Sequence, residues 1–256
     1  MSDLLVKWKI MKGGIKISKD GQVAILTISR PKKLNSVTKE MLVSFDEQVD
    51  LLTNDPETAA IIFTGEGEKA FTAGFDLDTI KSLEGDTLYD FFKLLERTIL
   101  RIRESNTCVT IAALNGYAIG FGAMVAVACD FRFFADTAIL RFPEIDLSVF
   151  PGMGAASNLL HIVGPARAKD ILMSGRAVDS QEALQIGLAT RVCPREEVME
   201  KALEFAKELV SKDRKIMLRT KTLVDVMTGK TVPGAFELEN VYSDEWLRER
   251  QGPDPA

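Results

Sequence analysis

Cys108-Val109-Thr110-Ile111-Ala112-Ala113-Leu114 runs into Asn115-Gly116-Tyr117-Ala118-Ile119-Gly120-Phe121-Gly122, and that turn runs into Ala123-Met124-Val125-Ala126-Val127-Ala128-Cys129. The first segment is a continuous apolar run of strand length, the pattern of a strand covered on both faces. The last is apolar on every side, which predicts a helix over about Gly120 to Cys129 lying inside the molecule. A buried strand, a glycine-bearing turn and a buried helix in succession are the marks of an α/β core.

The same alternation extends in both directions. Upstream, Thr38 to Leu52 places Met41, Leu42, Phe45, Val49 and Leu52 at three- and four-residue steps, with Thr38 as N-cap of an amphipathic helix. Ala59 to Thr64 reads as a second buried strand, and about Leu88 to Arg103 as a helix. The chain opens with a hairpin, Ile15 to Ser18 and Val23 to Ser29, turned by Lys19-Asp20-Gly21. Downstream come a strand at Phe131 to Ala135, a helix at Ala166 to Met173 and a short helix from Ser180 that Gly187 stops. After Pro194 the pattern is helical only: Glu196 to Ser211, Arg214 to Met227 and Ala235 to about Arg248. The expected organisation is therefore an α/β core over residues 1–195 and an all-helical region over 196–256, with a frayed Gly252-Pro253-Asp254-Pro255 tail.

Composition narrows the classes of function. With 256 residues, 46% apolar and 27% charged, the chain is long enough for one large core, and no apolar run nears the roughly 18 to 20 residues that cross a bilayer. A net charge of −5 with scattered Lys and Arg disfavours a nucleic-acid partner. Met1 to Lys12 alternates charged and apolar residues, unlike a signal or transit peptide, so a cytoplasmic address is expected. Cys108, Cys129 and Cys193 lack metal-ligand spacing and read as reduced thiols, and no metal site is expected. The single histidine, His161, follows Asn158-Leu159-Leu160 on a helical stretch and reads as structural. No G-x-S-x-G elbow supports a serine triad through it.

Two glycine turns after buried strands remain: Ala70-Phe71-Thr72-Ala73-Gly74-Phe75-Asp76-Leu77 and Asn115 to Gly122. Either alone is explained by a tight turn or close packing. A dinucleotide reading of Gly120-Phe121-Gly122 fails, because Val125 stands where the fingerprint needs Gly or Ala. What a glycine turn at the start of an apolar helix does supply is free backbone N–H groups backed by the positive helix end. Such donors suit a carbonyl oxygen that becomes an anion, as in an oxyanion hole that holds an enolate.

These residues resemble the crotonase, or enoyl-CoA hydratase/isomerase, superfamily. The likeness runs in order through Arg30-Pro31-Lys32-Lys33-Leu34-Asn35-Ser36, Ala70 to Leu77, Asn115 to Asp130, and Phe142-Pro143-Glu144 with Pro151-Gly152-Met153-Gly154. It implies an α/β fold, a spiral of ββα units with a C-terminal helical trimerisation region, assembled as a homotrimer or dimer of trimers. It also implies an acyl-CoA thioester as ligand, as in fatty acid β-oxidation, with no cofactor beyond the coenzyme A of the substrate. By position, Phe75 and Phe121 would donate the two oxyanion N–H groups, with Gly120 and Gly122 shaping the second turn. Ala73, Asp76 and Leu77 would lie along the CoA, and Lys32, Lys33 and Leu34 would touch its nucleotide end.

Two departures bear on the reaction. Phe121 stands where members commonly carry glycine, so a benzyl group must be placed beside the site and could narrow the acyl pocket. Met124 occupies the position of the first catalytic glutamate of the hydratases, while Glu144 fills the second. Adding water to a conjugated double bond calls for water activation and proton delivery, work that two carboxylates share. Moving a double bond from the 3 to the 2 position needs only one base. The expectation is therefore isomerase-type proton transfer by Glu144, the alternatives being an enoyl-CoA hydratase acting on 2-enoyl-CoA or a non-catalytic acyl-CoA-binding protein. Taken without the resemblance, Glu144 has two readings: a surface carboxylate or ion pair with Arg141, or a carboxyl buried among Phe142, Pro143, Ile145 and Leu147 with a raised pKa. Met124 lines the site by position and packs in the core by chemistry.

Overall fold

β1 (Lys9–Ile10), β2 (Ile15–Asp20) and β3 (Val23–Ile28) open the structure, a computed structural model that describes residues 9–10 and 14–251. The rest of the Met1 to Lys12 stretch and the Gly252 to Pro255 tail lie outside the described residues. β2 and β3 form the expected antiparallel hairpin. There follow α1 (Lys39–Asn54), β4 (Ala60–Gly65), β5 (Ala70–Thr72), α2 (Leu77–Lys81), α3 (Gly85–Arg103), β6 (Val109–Leu114) and β7 (Tyr117–Ile119). Then come α4 (Phe121–Ala128), β8 (Phe131–Ala135), β9 (Ile139–Arg141), α5 (Ala155–Ser174), β10 (Ala177–Asp179) and α6 (Ser180–Gln185). β11 (Arg191–Cys193), α7 (Val198–Val210), α8 (Arg214–Met227) and α9 (Val232–Gln251) complete the order.

The chain divides into two units, residues 1–210 and 211–256. In the first, β1-β2-β3-β4-β6-β8-β11 make one sheet, parallel from β3 onward, and β10-β9-β7-β5 make a second. Each parallel step of the large sheet needs a crossover, and α1 supplies the one from β3 to β4. Thr38 caps α1 as expected, its Oγ1 accepting the Met41 N–H at 3.3 Å. Every residue of β4 and β6 is buried, as two covered faces require. α4 is buried along its whole length because it packs on β6 of one sheet, on β5, β7 and β9 of the other, and on α3 and α5. α7, the first long helix after residue 196, packs on β3, β4, β6 and β8 and belongs to the first unit.

α1 and α3 lie against each other and are fastened through Asp46, which is buried. Its carboxylate accepts from Arg97 at 2.6 Å, Arg101 at 2.8 Å and the Thr98 hydroxyl at 3.0 Å. In the second unit, α8 is capped by Asp213, and Glu249 of α9 pairs with Lys215 and Arg219, each at 2.7 Å. No helix among the described residues is long and apolar enough to cross a membrane.

Candidate active site

The small sheet carries the site, and its three-residue strands are too short to show a period in the sequence. β5, β7 and β9 lie side by side and parallel, with Ala70 opposite Tyr117 and Ala118 opposite Leu140. Their C-terminal ends therefore come together, the usual place for ligands in parallel sheets. Phe75 follows β5, Phe121 follows β7 and Glu144 follows β9, each within three residues of its strand's end.

The first turn is held so that one N–H is left over. Ala73 N–H donates to the Leu34 carbonyl at 2.9 Å, Gly74 N–H to Thr72 Oγ1 at 3.1 Å and Asp76 N–H to the Val37 carbonyl at 2.9 Å. Among the bonds that hold this turn in the described residues, Phe75 N–H makes none. Gly74 sits at φ +91°, which a side chain would strain, and a Cβ there would meet the Ile119 carbonyl oxygen at 3.0 Å. The second turn does the same. Gly120 N–H donates to the Arg141 carbonyl at 2.9 Å, and Met124 N–H to the Gly120 carbonyl at 2.9 Å. Phe121 N–H is the first of α4, where the helix itself offers no acceptor. The two turns touch: the Cβ position of Gly74 is 3.9 Å from Phe121 N.

Gly122 is required by the same crowding, since a Cβ there would stand 2.7 Å from Thr72 Cγ2. The Phe121 ring turns into the core, edge-on to Phe45 with centroids 5.4 Å apart and tilted against Phe75 at 5.1 Å. Phe75 in turn meets Phe91 at 4.8 Å. The benzyl group expected beside the acyl pocket is thus 1% exposed and part of an aromatic cluster.

Glu144 begins a 3-10 helix after Pro143 and is 7% exposed. Leu140 in β9 and, beyond its end, Phe142 and Glu144 are buried. Of the neighbours expected to cover it, Phe142 is buried, but Ile145 and Leu147 are exposed. The ion pair with Arg141 does not form. Arg141 donates instead to Asp146 and to the Gly175 carbonyl, both at 2.6 Å. Glu144 Oε2 is buried and has no hydrogen-bond partner, while Oε1 lies 3.9 Å from the Cβ position of Gly120, beside the Phe121 peptide. Burial withdraws water from the charged form and pushes the Glu144 pKa up, its backbone hydrogen bond offsetting part of the rise.

Pro31, Lys32 and Lys33 form a 3-10 helix ending at Leu34, and all four are exposed. Asp76 caps α2 and pairs with Arg30 at 2.6 Å, which holds its carboxyl below the usual range. Ala73 and Asp76 are half-buried and Leu77 is exposed. Met124 is buried in α4 one turn beyond Gly120. Asn35, quoted only as part of a motif, fixes the whole loop: its amide donates to the Ala70 carbonyl at 2.7 Å and its Oδ1 accepts from Arg30 N–H at 2.9 Å. It sits at φ +56°, a conformation in which Asn is enriched. His161 is exposed on α5, and Asp130 is taken up by the Thr110 N–H and hydroxyl. Among the described residues no group of three or more His, Cys, Asp or Glu side chains is placed to hold a metal ion.

A family pattern described as enoyl-CoA hydratase/isomerase matches residues 18–249. The chain is 36% identical over 198 residues to a short-chain-enoyl-CoA hydratase of Clostridium acetobutylicum, covering 76% of this chain and 74% of that protein. Its fold matches the enoyl-CoA hydratase of Bacillus anthracis with a TM-score of 0.86 at 27% identity, over 92% of this chain and 91% of that one. A Thermobifida fusca protein solved in complex with acetoacetyl-CoA matches with a TM-score of 0.83 at 28% identity, over 93% of this chain and 96% of that one. These likenesses accord with the α/β crotonase-like fold, and the names of these relatives favour hydration over the isomerisation expected from Met124.

Proposed function

We propose, because this chain belongs to the enoyl-CoA hydratase/isomerase family, that it is an acyl-CoA enzyme in which two peptide N–H groups hold a thioester enolate while Glu144 moves the proton. The observation that carries this reading is the meeting of Phe75, Phe121 and Glu144 at the ends of three neighbouring parallel strands. The thioester oxygen sits between the Phe75 and Phe121 N–H groups, where negative charge develops, and the Glu144 carboxyl beside Gly120 faces the α-carbon. Ala73, Asp76 and Leu77 lie along the CoA, with Lys32, Lys33 and Leu34 at its nucleotide end. CoA enters as part of the substrate, and the chemistry calls for no further cofactor.

Hydration of a 2-enoyl-CoA is the reading that the relatives' names favour. Glu144 takes a proton from water, the oxygen adds to C3, and the electron pair moves to the thioester oxygen as an enolate. Glu144 then returns the proton to C2. One carboxyl can serve both halves because it is regenerated within the cycle.

Met124 favours a second reading. With no second carboxylate on α4, Glu144 removes the C2 proton of a 3-enoyl-CoA and returns it at C4 of the dienolate, giving the 2-enoyl-CoA. Product analysis with crotonyl-CoA and with a 3-enoyl-CoA, run side by side, separates the two. Tight thioester binding without turnover of either would overturn both and leave a non-catalytic acyl-CoA-binding protein.

Assembly as a homotrimer or dimer of trimers belongs to the same proposal. The exposed apolar residues Val224, Val232, Phe236 and Val241 on α8 and α9 are surface that such an assembly would cover. Light scattering that gives a monomer at micromolar concentration would contradict it.

A further inference from the structure

The two proposed donor residues do not stand alone. The Phe75 and Phe121 rings touch, and each is backed by a second ring from a different helix: Phe121 by Phe45 of α1, at 5.4 Å and 79°, and Phe75 by Phe91 of α3, at 4.8 Å and 69°. Both backing rings are sealed, Phe45 at 0% and Phe91 at 1% exposure. The helices that carry them are fastened to each other beside Phe45, where Asp46 takes hydrogen bonds from Arg97, Thr98 and Arg101 of α3. The chain of contact therefore runs from α1 through Phe45, Phe121, Phe75 and Phe91 to α3, and the Asp46 cluster closes it into a loop.

Donors in an oxyanion hole act through preorganisation: they must already point at the place where charge will develop. The carbonyl end of each donor peptide is held by the backbone, Gly74 O accepting the Val37 N–H and Gly120 O the Met124 N–H, both at 2.9 Å, while the other end is carried by Phe75 and Phe121 themselves. Edge-to-face ring contacts in a close-packed interior fix that second end, because a ring cannot move without displacing its partner.

We infer that Phe45 and Phe91 are positioning residues of the oxyanion hole, acting through the Phe121 and Phe75 rings to fix the two donor peptides. This rests on the proposed role of those peptides. It makes the hole's strength depend on residues of α1 and α3 that never touch the thioester.

The test uses acetoacetyl-CoA, whose enolate is read by its near-ultraviolet absorbance, so hole strength is measured without turnover. Bound to the full-length wild-type protein, the thioester enolises at lower pH than it does free in solution. Phe91→Leu and Phe45→Leu lower the enolate-to-keto ratio of the bound thioester by about tenfold, short of the roughly 10²- to 10³-fold that loss of a whole donor brings. Their affinity for butanoyl-CoA stays within about twofold, since ground-state binding does not require aligned donors. Phe133→Leu is the control, removing an equally buried ring that packs on Phe205 instead. Phe91→Met, whose flexible unbranched side chain adapts better to the space a ring leaves, serves if the leucine variant does not fold. An unchanged enolate ratio in the Phe91 and Phe45 variants, or an equal loss in Phe133→Leu, overturns the inference. Absence of enolate stabilisation in the wild type overturns instead the assignment of the two donors.

Discussion

The Phe75 and Phe121 rings lie 5.1 Å apart and tilt 31° to one another. Their contact joins two turns that follow different strands, β5 and β7, so the two peptide groups are placed by side-chain packing as well as by sheet hydrogen bonds. Glu144 reaches the same place from the 3-10 helix that follows β9, a strand that pairs with β7. The site is thus a property of the small sheet, and perturbing that sheet should perturb the chemistry.

Gly122→Ala tests the packing between β5 and α4. The added methyl would stand 2.7 Å from Thr72 Cγ2 and 3.0 Å from the Thr72 carbonyl oxygen. Overpacking of this kind destabilises by about 1–3 kcal/mol, and here it also shifts the neighbouring Phe121 peptide. Thr72→Ser removes Cγ2 but keeps the hydroxyl that accepts from Gly74 N–H, so the double variant should recover part of the loss. Urea denaturation of the two single variants and the double measures this; strictly additive effects would show that the contact is not the cause.

The raised pKa of Glu144 sets a pH dependence of stability. Below the ordinary glutamate value of 4.5 both folded and unfolded chains hold the proton, and the group contributes nothing. As pH rises from 4.5 through the folded value, the unfolded chain ionises freely while the folded one resists, so stability falls and then stays lower. Glu144→Gln removes that penalty. Its Tm should therefore exceed the wild type's at pH 8, with the difference shrinking toward pH 4; a gap equal at both pH values would rule this origin out.

Asp46→Ala tests the fastening of α1 to α3. The carboxylate is buried, but Arg97 and Arg101 are partly exposed and can turn to water once it is gone. The loss should therefore resemble that of charged hydrogen bonds, about 1.5–3 kcal/mol, rather than that of a stranded buried charge. Stability measured in urea is the readout, and a change under about 0.5 kcal/mol, typical of an ordinary surface substitution, would show that the cluster does not hold the helices.

Much of this architecture was legible before any coordinates. α1, β4, β6, α4 and β8 match their expected bounds within about two residues, because each is long or uniform enough to show its pattern. β5, β7, β9 and β10 were not seen. At three residues each they show no alternation, and they exist because neighbours pair with them. That is why the glycine turns could be found while the sheet that brings them together could not. α5 is interrupted at Gly164, where φ is +77° and ψ 169°, which explains why only its part after Pro165 was read with definite bounds. The aromatic cluster was out of reach, since no local pattern links Phe45, Phe75, Phe91 and Phe121.

The central claim, that two peptide donors and Glu144 together form an enolate, is tested most directly by proton exchange at C2 of butanoyl-CoA in deuterium oxide. This saturated thioester can be neither hydrated nor isomerised, so exchange reports the shared step alone. The wild-type protein should incorporate deuterium with a rate that rises with pH, its midpoint above 4.5 because Glu144 must be ionised to act as base. Glu144→Gln should lower that rate by about a hundredfold or more while still binding the thioester. Exchange at an unchanged rate in Glu144→Gln would contradict the account.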